Sequence, residues 1–203
     1  MFRSKEIRWF SKEKHPEIVQ WFSSQGLTLE GVSSRTDFYL PLPDKHDINV
    51  KLREGNIEIK HRLGEREKGK LTSKALGYFE DWVKWSFNAV NNDPLTKAII
   101  QDKKYNWIPV HKTRMGMKVV KGQDGHCQLV PMDQFPPFGC QVEYTRIQVF
   151  RKTWFTFGLE WFGEKDLNLD TSLVQEILGE SQLEEMDNMG YPEFLSRLSD
   201  KQF

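Results

Sequence analysis

Cationic and apolar side chains alternate through two neighbouring stretches, residues 49–55 and 56–62, so that Lys51, Arg53, Lys60 and Arg62 fall on one side of an extended chain. Residues 108–114 repeat the pattern with Lys112 and Arg114 two positions apart. Guanidinium forks grip phosphate oxygens in pairs, ammonium groups act as point charges, and a triphosphate matches the size of such a set. A sheet with one solvated charged face would show the same alternation. Carboxylates at Glu6, Glu58, Glu143 and Glu160 also fall in stretches of strand character. Hard oxygen ligands of this kind hold the divalent ions that bridge phosphates, and metal-activated water attacks phosphoryl groups. Taken singly, each carboxylate reads as a salt-bridge partner or surface residue before it reads as a ligand, so only their convergence would make them catalytic.

Strands must position these groups. Residues 5–10 are β-prone and aromatic, and Pro16 then starts a helix with Ile18, Val19, Trp21 and Phe22 at helical spacing, stopped by Gly26. Strands are expected over 34–40, 47–54 and 56–62, the last two joined by a tight turn at Glu54, Gly55 and Asn56. Residues 63–76, polar and Lys-rich, read as an exposed loop. Further strands are expected over 78–87, 107–120, 126–131, 141–150 and 153–162, with a capped helix from Asp93 and Pro94 to Ile100 and a turn at Arg151 and Lys152. Short helices over 173–179 and 192–198 could cover a barrel mouth or pack outside it. The fold class is therefore mainly β: an antiparallel eight-stranded tunnel or barrel with a few short helices, since closure removes exposed edges. A tunnel domain is expected over 1–163, with an acidic helical extension over 164–203 packed on it.

The 203 residues suffice for a continuous core, and 38% hydrophobic with 29% charged residues argues against global disorder. The formal net charge is zero but unevenly spread: residues 45–121 carry seventeen Lys and Arg against nine Asp and Glu, and residues 164–203 carry three against ten. That asymmetry raises an autoinhibitory role for the acidic tail. Neither a bilayer-spanning apolar run nor the apolar core of a secretory leader is present, so a cytoplasmic chain with no membrane partner is expected. Cys127 and Cys140 lie near the ends of one hairpin and are expected to be reduced packing residues, and the five scattered His lack metal-ligand spacing.

The order of these motifs resembles the CYTH, or triphosphate tunnel metalloenzyme, superfamily, which includes class IV adenylate cyclases, thiamine triphosphatases and inorganic triphosphatases. Thr36-Asp37-Phe38-Tyr39 is similar to its second strand, Lys51-Leu52-Arg53 and Glu58-Ile59-Lys60-His61-Arg62 to its next two, and Lys112-Thr113-Arg114 to its Lys-x-Arg strand. Gly139 to Tyr144 and Phe157 to Phe162, bearing Glu143 and Glu160, resemble its two acidic strands. The resemblance spans about residues 4–163 and implies an eight-stranded tunnel whose cations grip a triphosphate while Glu6, Glu143 and Glu160 hold Mg2+ or Mn2+. The first strand departs from the family's Glu-x-Glu-x-Lys signature, with Glu6 kept, Arg8 in place of the second Glu and Phe10 in place of the Lys. Arg8 cannot ligate a metal, and its fixed charge opposes a metal while favouring an anion.

The expected ligand is a triphosphate-bearing nucleotide, organic triphosphate or short polyphosphate, bound through Lys51, Arg53, Lys60, Arg62, Lys112 and Arg114. If the chain is an enzyme, it is a metal-dependent triphosphatase or, as second choice, a cyclase. One alternative is a polyanion-binding protein that has lost its metal function and needs no cofactor. Another is a lipocalin-like binder of apolar ligands, which would turn Ile59 rather than Lys60 inward. Phe10, Trp82, Trp85, Trp107, Trp154 and Trp161 could seat an aromatic or nucleobase group, or serve as packing. No nucleic-acid module is recognisable, and the chain as a whole is neutral.

Overall fold

The computed structural model describes residues 2–89, 93–165 and 167–199, so residues 166 and 200–203 of the expected acidic extension lie outside the described residues. Among the described residues the strands are β1 (Phe2–Ser11), β2 (Ser34–Leu40), β3 (Ile48–Arg53), β4 (Asn56–Thr72), β5 (Ala75–Asn88), β6 (Ile108–Lys121), β7 (Cys127–Pro131), β8 (Gly139–Val149) and β9 (Lys152–Phe162). Four short helices accompany them: α1 (Pro16–Ser24), α2 (Pro94–Ile100), α3 (Thr171–Leu178) and α4 (Tyr191–Ser199). Eight strands form a closed antiparallel circuit in the order β2-β3-β4-β5-β1-β9-β8-β6, and β2 pairs back onto β6 from Ser34 against Thr113 to Tyr39 against Ile108. β7 stands outside this circuit, paired with the far end of β6.

Two tight hairpins fix the register of the wall. Glu54 and Gly55, between β3 and β4, have φ of 46° and 75°, and Phe150 and Arg151, between β8 and β9, have 49° and 61°. Paired left-handed residues match the right-handed twist of the strands they join. The second turn thus lies one residue earlier than the sequence suggests. The larger correction concerns residues 63–76, which continue β4 to Thr72 and turn directly into β5. The side chains of residues 63–72 are half-buried or exposed on both faces, so no apolar alternation marks them, and backbone pairing with β5 holds them with a register shift between Leu63 and Glu67.

The main apolar core lies outside the barrel wall. Ile7 and Trp9 of β1, Met115 and Val119 of β6, Val142 and Tyr144 of β8, and Phe157 and Leu159 of β9 pack under Ile18, Trp21 and Phe22 of α1 and Val174, Ile177 and Leu178 of α3. Alternation along each strand consequently sends the neighbouring side chains into the barrel. At one end these inward residues are apolar. Phe10, Tyr39, Ile108, Ile147 and Val149 meet Met189 and the Phe194, Leu195 and Leu198 face of α4. The Phe10 and Phe194 rings stack at 4.0 Å, and α4 plugs that mouth. The two helices expected in the acidic tail thus divide the tasks: α3 covers the outer wall and α4 closes one end. Both cysteines are free, with Cys140 buried. No helix among the described residues is long and apolar enough to cross a membrane.

Candidate functional site

Inside the wall is a cavity of about 390 Å³. Lys51 and Arg53 reach it from β3, Lys60 from β4, and Lys112 and Arg114 from β6. Lys60, and not Ile59, faces this space. Arg62 shares the inward face of β4 but does not line the cavity, and its Nη1 donates to Glu80 Oε1 at 2.9 Å. Arg8, Arg35, Lys84 and Lys118 join the lining, so nine cations surround the cavity against five carboxylates, Glu6, Glu58, Glu80, Glu143 and Glu160.

Just behind the lining, fully buried Asp37 gathers three cations. Arg53 donates to both of its oxygens at 3.1 and 2.8 Å, Arg35 Nε lies at 3.1 Å, and Lys112 Nζ at 2.9 Å. Burial alone would raise the Asp37 pKa, but Lys112 and Arg53 outweigh it and hold the carboxyl well below its usual range. Lys112 also donates to the Tyr39 hydroxyl at 2.6 Å and sits 3.8 Å from the centre of the Tyr191 ring. Burial pushes its pKa well below that of a free lysine despite Asp37. Lys51 is pushed down to about 7 by burial and by Arg53, against the pull of Glu58 at 2.9 Å. Burial opposes ionisation of Glu58, but Lys51 and Arg53 lower it to about 2.

The proposed metal ligands do not form one cluster. Glu6 and Glu160 are brought together, but on the Lys60 ammonium, which hydrogen-bonds Glu6 Oε1 and Glu160 Oε1, the latter at 3.2 Å. Burial disfavours the Glu160 charge, yet Lys60 overcomes it and holds the pKa at about 2. Glu143 accepts from Arg114 at 3.1 Å and Gln141 at 2.7 Å, and its other oxygen lies 2.5 Å from Arg8. Among the described residues no group of three or more His, Cys, Asp or Glu is placed to hold a metal ion. Each carboxylate of the set already has a fixed protein cation, so these residues do not fit a resident divalent ion.

Arg8 has a cradle of its own. Its guanidinium bridges Glu143 and the Thr156 hydroxyl, the latter at 3.3 Å, and it stacks 5.5 Å from the Tyr191 ring. Opposite it on β9 is Gly158, where a Cβ would come within 2.7 Å of Arg8 Cζ. The space that a side chain would fill at 158 is taken by the guanidinium. Burial works against the Arg8 charge, but Glu143 and the other nearby acidic groups raise its pKa further still.

Several lining residues escape a reading of the sequence. Arg35 lies on the same face of β2 as Asp37 and Tyr39 of the second-strand motif, and Glu80 and Lys84 lie on the same face of β5 as Trp82, so alternation could have found these three once the strands were known. Tyr191 reaches the cavity only because α4 folds back on the barrel, for which no local signal exists. Of the aromatics considered, Trp82 lines the cavity, while Phe10 and Trp154 pack against α4, Trp161 packs with Phe79, Trp85 is exposed, and Trp107 lines a separate outer groove.

No family model matches the chain, and no curated protein does. Among solved structures it is similar to a conserved hypothetical protein from Pyrococcus furiosus, at 12% identity over 93% of this chain and 98% of that one, with a TM-score of 0.43. It is also similar to the PH1012 protein from Pyrococcus horikoshii OT3, at 14% identity over the same shares of the two chains, with a TM-score of 0.41.

Proposed function

We propose that the barrel is a receptor for a compact phosphate-rich anion, a triphosphate or short polyphosphate unit, held by protein cations alone. One observation carries this reading: nine basic side chains line the cavity against five carboxylates, or six acids when Asp37 behind the wall is counted, an excess that holds even with Lys51 and Lys112 neutral. Buried cations in excess of their counter-charges are costly unless an anion or water meets them. Arg35, Arg53 and Arg114 keep about a quarter of their side chains accessible and offer forked donors. The motif order and the closed eight-stranded barrel support a likeness to the CYTH superfamily. The pairing of Glu6, Glu143 and Glu160 with Lys60, Arg8 and Arg114 favours binding without metal-dependent hydrolysis.

Titration calorimetry with inorganic tripolyphosphate in excess chelator tests the proposal. Binding is expected, weakened about 10-fold or more by Arg114→Ala, since a charge-assisted hydrogen bond contributes about 1.5–3 kcal/mol. Lys104→Ala, at an exposed position away from the cavity, should leave affinity unchanged. With Mg2+ or Mn2+ added, no phosphate release above background is expected. Absence of binding in chelator would refute the reading, and steady metal-dependent release would replace it with an enzyme.

A further inference from the structure

The apolar cover over the outer wall is incomplete. α1 and α3 bury the outward side chains of β1 and β9 around Ile7, Trp9, Phe157 and Leu159, but Phe79 and Trp161, at the margin of that core, stay half-buried. Their rings meet edge to face at 5.8 Å, and the Trp161 indole N–H donates to the Leu167 carbonyl at 2.9 Å, so both are fixed in place. Beside them a groove of about 800 Å³ runs between the far part of β4, the outer face of β1 and the segment leading from β9 to α3. It is about twice the size of the barrel cavity, and Trp82 and Phe162 alone line both.

Four basic side chains stand around this floor, Arg3 and Lys5 on β1, Lys70 on β4 and Lys165 after β9, against one lining carboxylate, Asp81. Lys5 already pairs with Glu67 at 2.9 Å and lies 5.0 Å from the centre of the Phe79 ring. The cations are spread out. Arg3 is opposite Val83 on one side of β5 and Lys70 opposite Leu76 on the other, seven residues or about 23 Å of strand apart. One phosphate or one lipid headgroup cannot meet both, whereas an extended peptide of about seven residues can. A bilayer is flat and does not reach rings half-buried between walls. A nucleic-acid strand needs ring faces to stack on, but Phe79 and Trp161 are turned upon each other and the floor beside them, Leu71, Leu169 and Val174, is aliphatic. Asp81, opposite Lys5 and between the outer cations, would repel a phosphate yet can accept a peptide N–H.

We infer that this groove docks an extended acidic segment of a partner protein, whose carboxylates meet Arg3, Lys70 and Lys165 while an apolar side chain between them anchors on Phe79 and Trp161. The surface is separate from the anion site inside the barrel and does not depend on it.

Octapeptides selected from a displayed random library on the full chain, with affinities then measured by fluorescence anisotropy, test the proposal. Selected sequences should be rich in Asp and Glu around a Leu or aromatic residue. Arg3→Glu with Lys70→Glu, both exposed and away from the barrel cavity, should weaken them about 10-fold or more, because like charges then face each other. Arg3→Gln with Lys70→Gln, which removes the charges without reversing them, should weaken them less and carries the comparison if the reversal lowers the urea midpoint. Arg114→Ala, inside the barrel, should leave them unchanged. Failure to enrich acidic peptides, or peptides that bind the charge-reversed and charge-neutralised proteins as tightly as the parent, would overturn the proposal. Binding to phosphatidylserine vesicles or to oligouridylate that is lost on charge reversal, with no peptide selected, would assign the groove to lipid or nucleic acid instead.

Discussion

Replacing Gly158 with alanine asks whether that glycine exists to hold the Arg8 guanidinium. A methyl group there would lie 2.7 Å from Arg8 Cζ and 2.8 Å from both terminal nitrogens. Arg8 cannot simply swing away, being 8% exposed and fixed by Glu143 at 2.5 Å and Thr156 at 3.3 Å. Forcing an added methyl into such a site costs about 1–3 kcal/mol. Arg8→Ala removes one member of a buried pair, and because Arg114 and Gln141 remain on Glu143, the loss belongs at the low end of the usual range, about 3 kcal/mol. In the Arg8→Ala background the obstacle has gone, and alanine in a strand should then be neutral or stabilising by about 0.5–1 kcal/mol relative to glycine. The double variant should therefore be less destabilised than the two single changes add up to, with a coupling of about 1–4 kcal/mol. Urea unfolding of the four proteins measures it. Additive effects would mean that Gly158 serves the strand and not the arginine.

Anion affinity should rise as pH falls through about 7, because burial and Arg53 keep Lys51 largely neutral above that value and protonation adds a cation to the cavity. Calorimetry between pH 8 and 6 checks this, and Lys51→Met should remove that part of the pH dependence; an unchanged slope would refute the assignment. Glu58 and Glu160, lowered to about 2 against about 4.5 when unfolded, contribute stability that is fully present above pH 4.5 and is lost as pH falls toward 2. A urea midpoint that stays constant from pH 5 to 2.5 would contradict these ion pairs. Phe194→Ala should cost about 3 kcal/mol, since its ring is buried against Phe10 and Trp154, and hydrogen exchange should rise first in residues 191–199.

Alternation made the β3–β4 hairpin legible, because cations and apolar residues trade places around a turn that suits Glu54 and Gly55. The Asp93 cap was equally plain, with its carboxylate accepting from the backbone of Leu95 at 2.8 Å. Residues 63–72 were opaque for the opposite reason: a strand wetted on both faces lacks a periodic apolar signal, so only its ladder with β5 defines it. Within the site, five of the six expected phosphate-binding cations line the cavity. The pairing of the acids was not legible. Glu6 and Glu160 are 154 residues apart, and nothing local reveals that both meet Lys60. The floor supplied by Tyr191 depends in the same way on the return of α4.

The closed circuit also sets an order of events in folding. β1, at the start of the chain, completes its ladder only against β9, where Glu6 faces Glu160 and Ser11 faces Phe155. Closure of β2 onto β6 likewise bridges about 70 to 80 residues. Contacts of such long range make for slow folding, on the order of milliseconds to seconds. During synthesis, Arg8 must remain hydrated until β8 has emerged with Glu143, whereas Lys60, the partner of Glu6, arrives earlier with β4 and takes on Glu160 only when β9 follows. The step that shuts the barrel is thus the one that strips water from its charges, and partner exchange among them is cheap only before it.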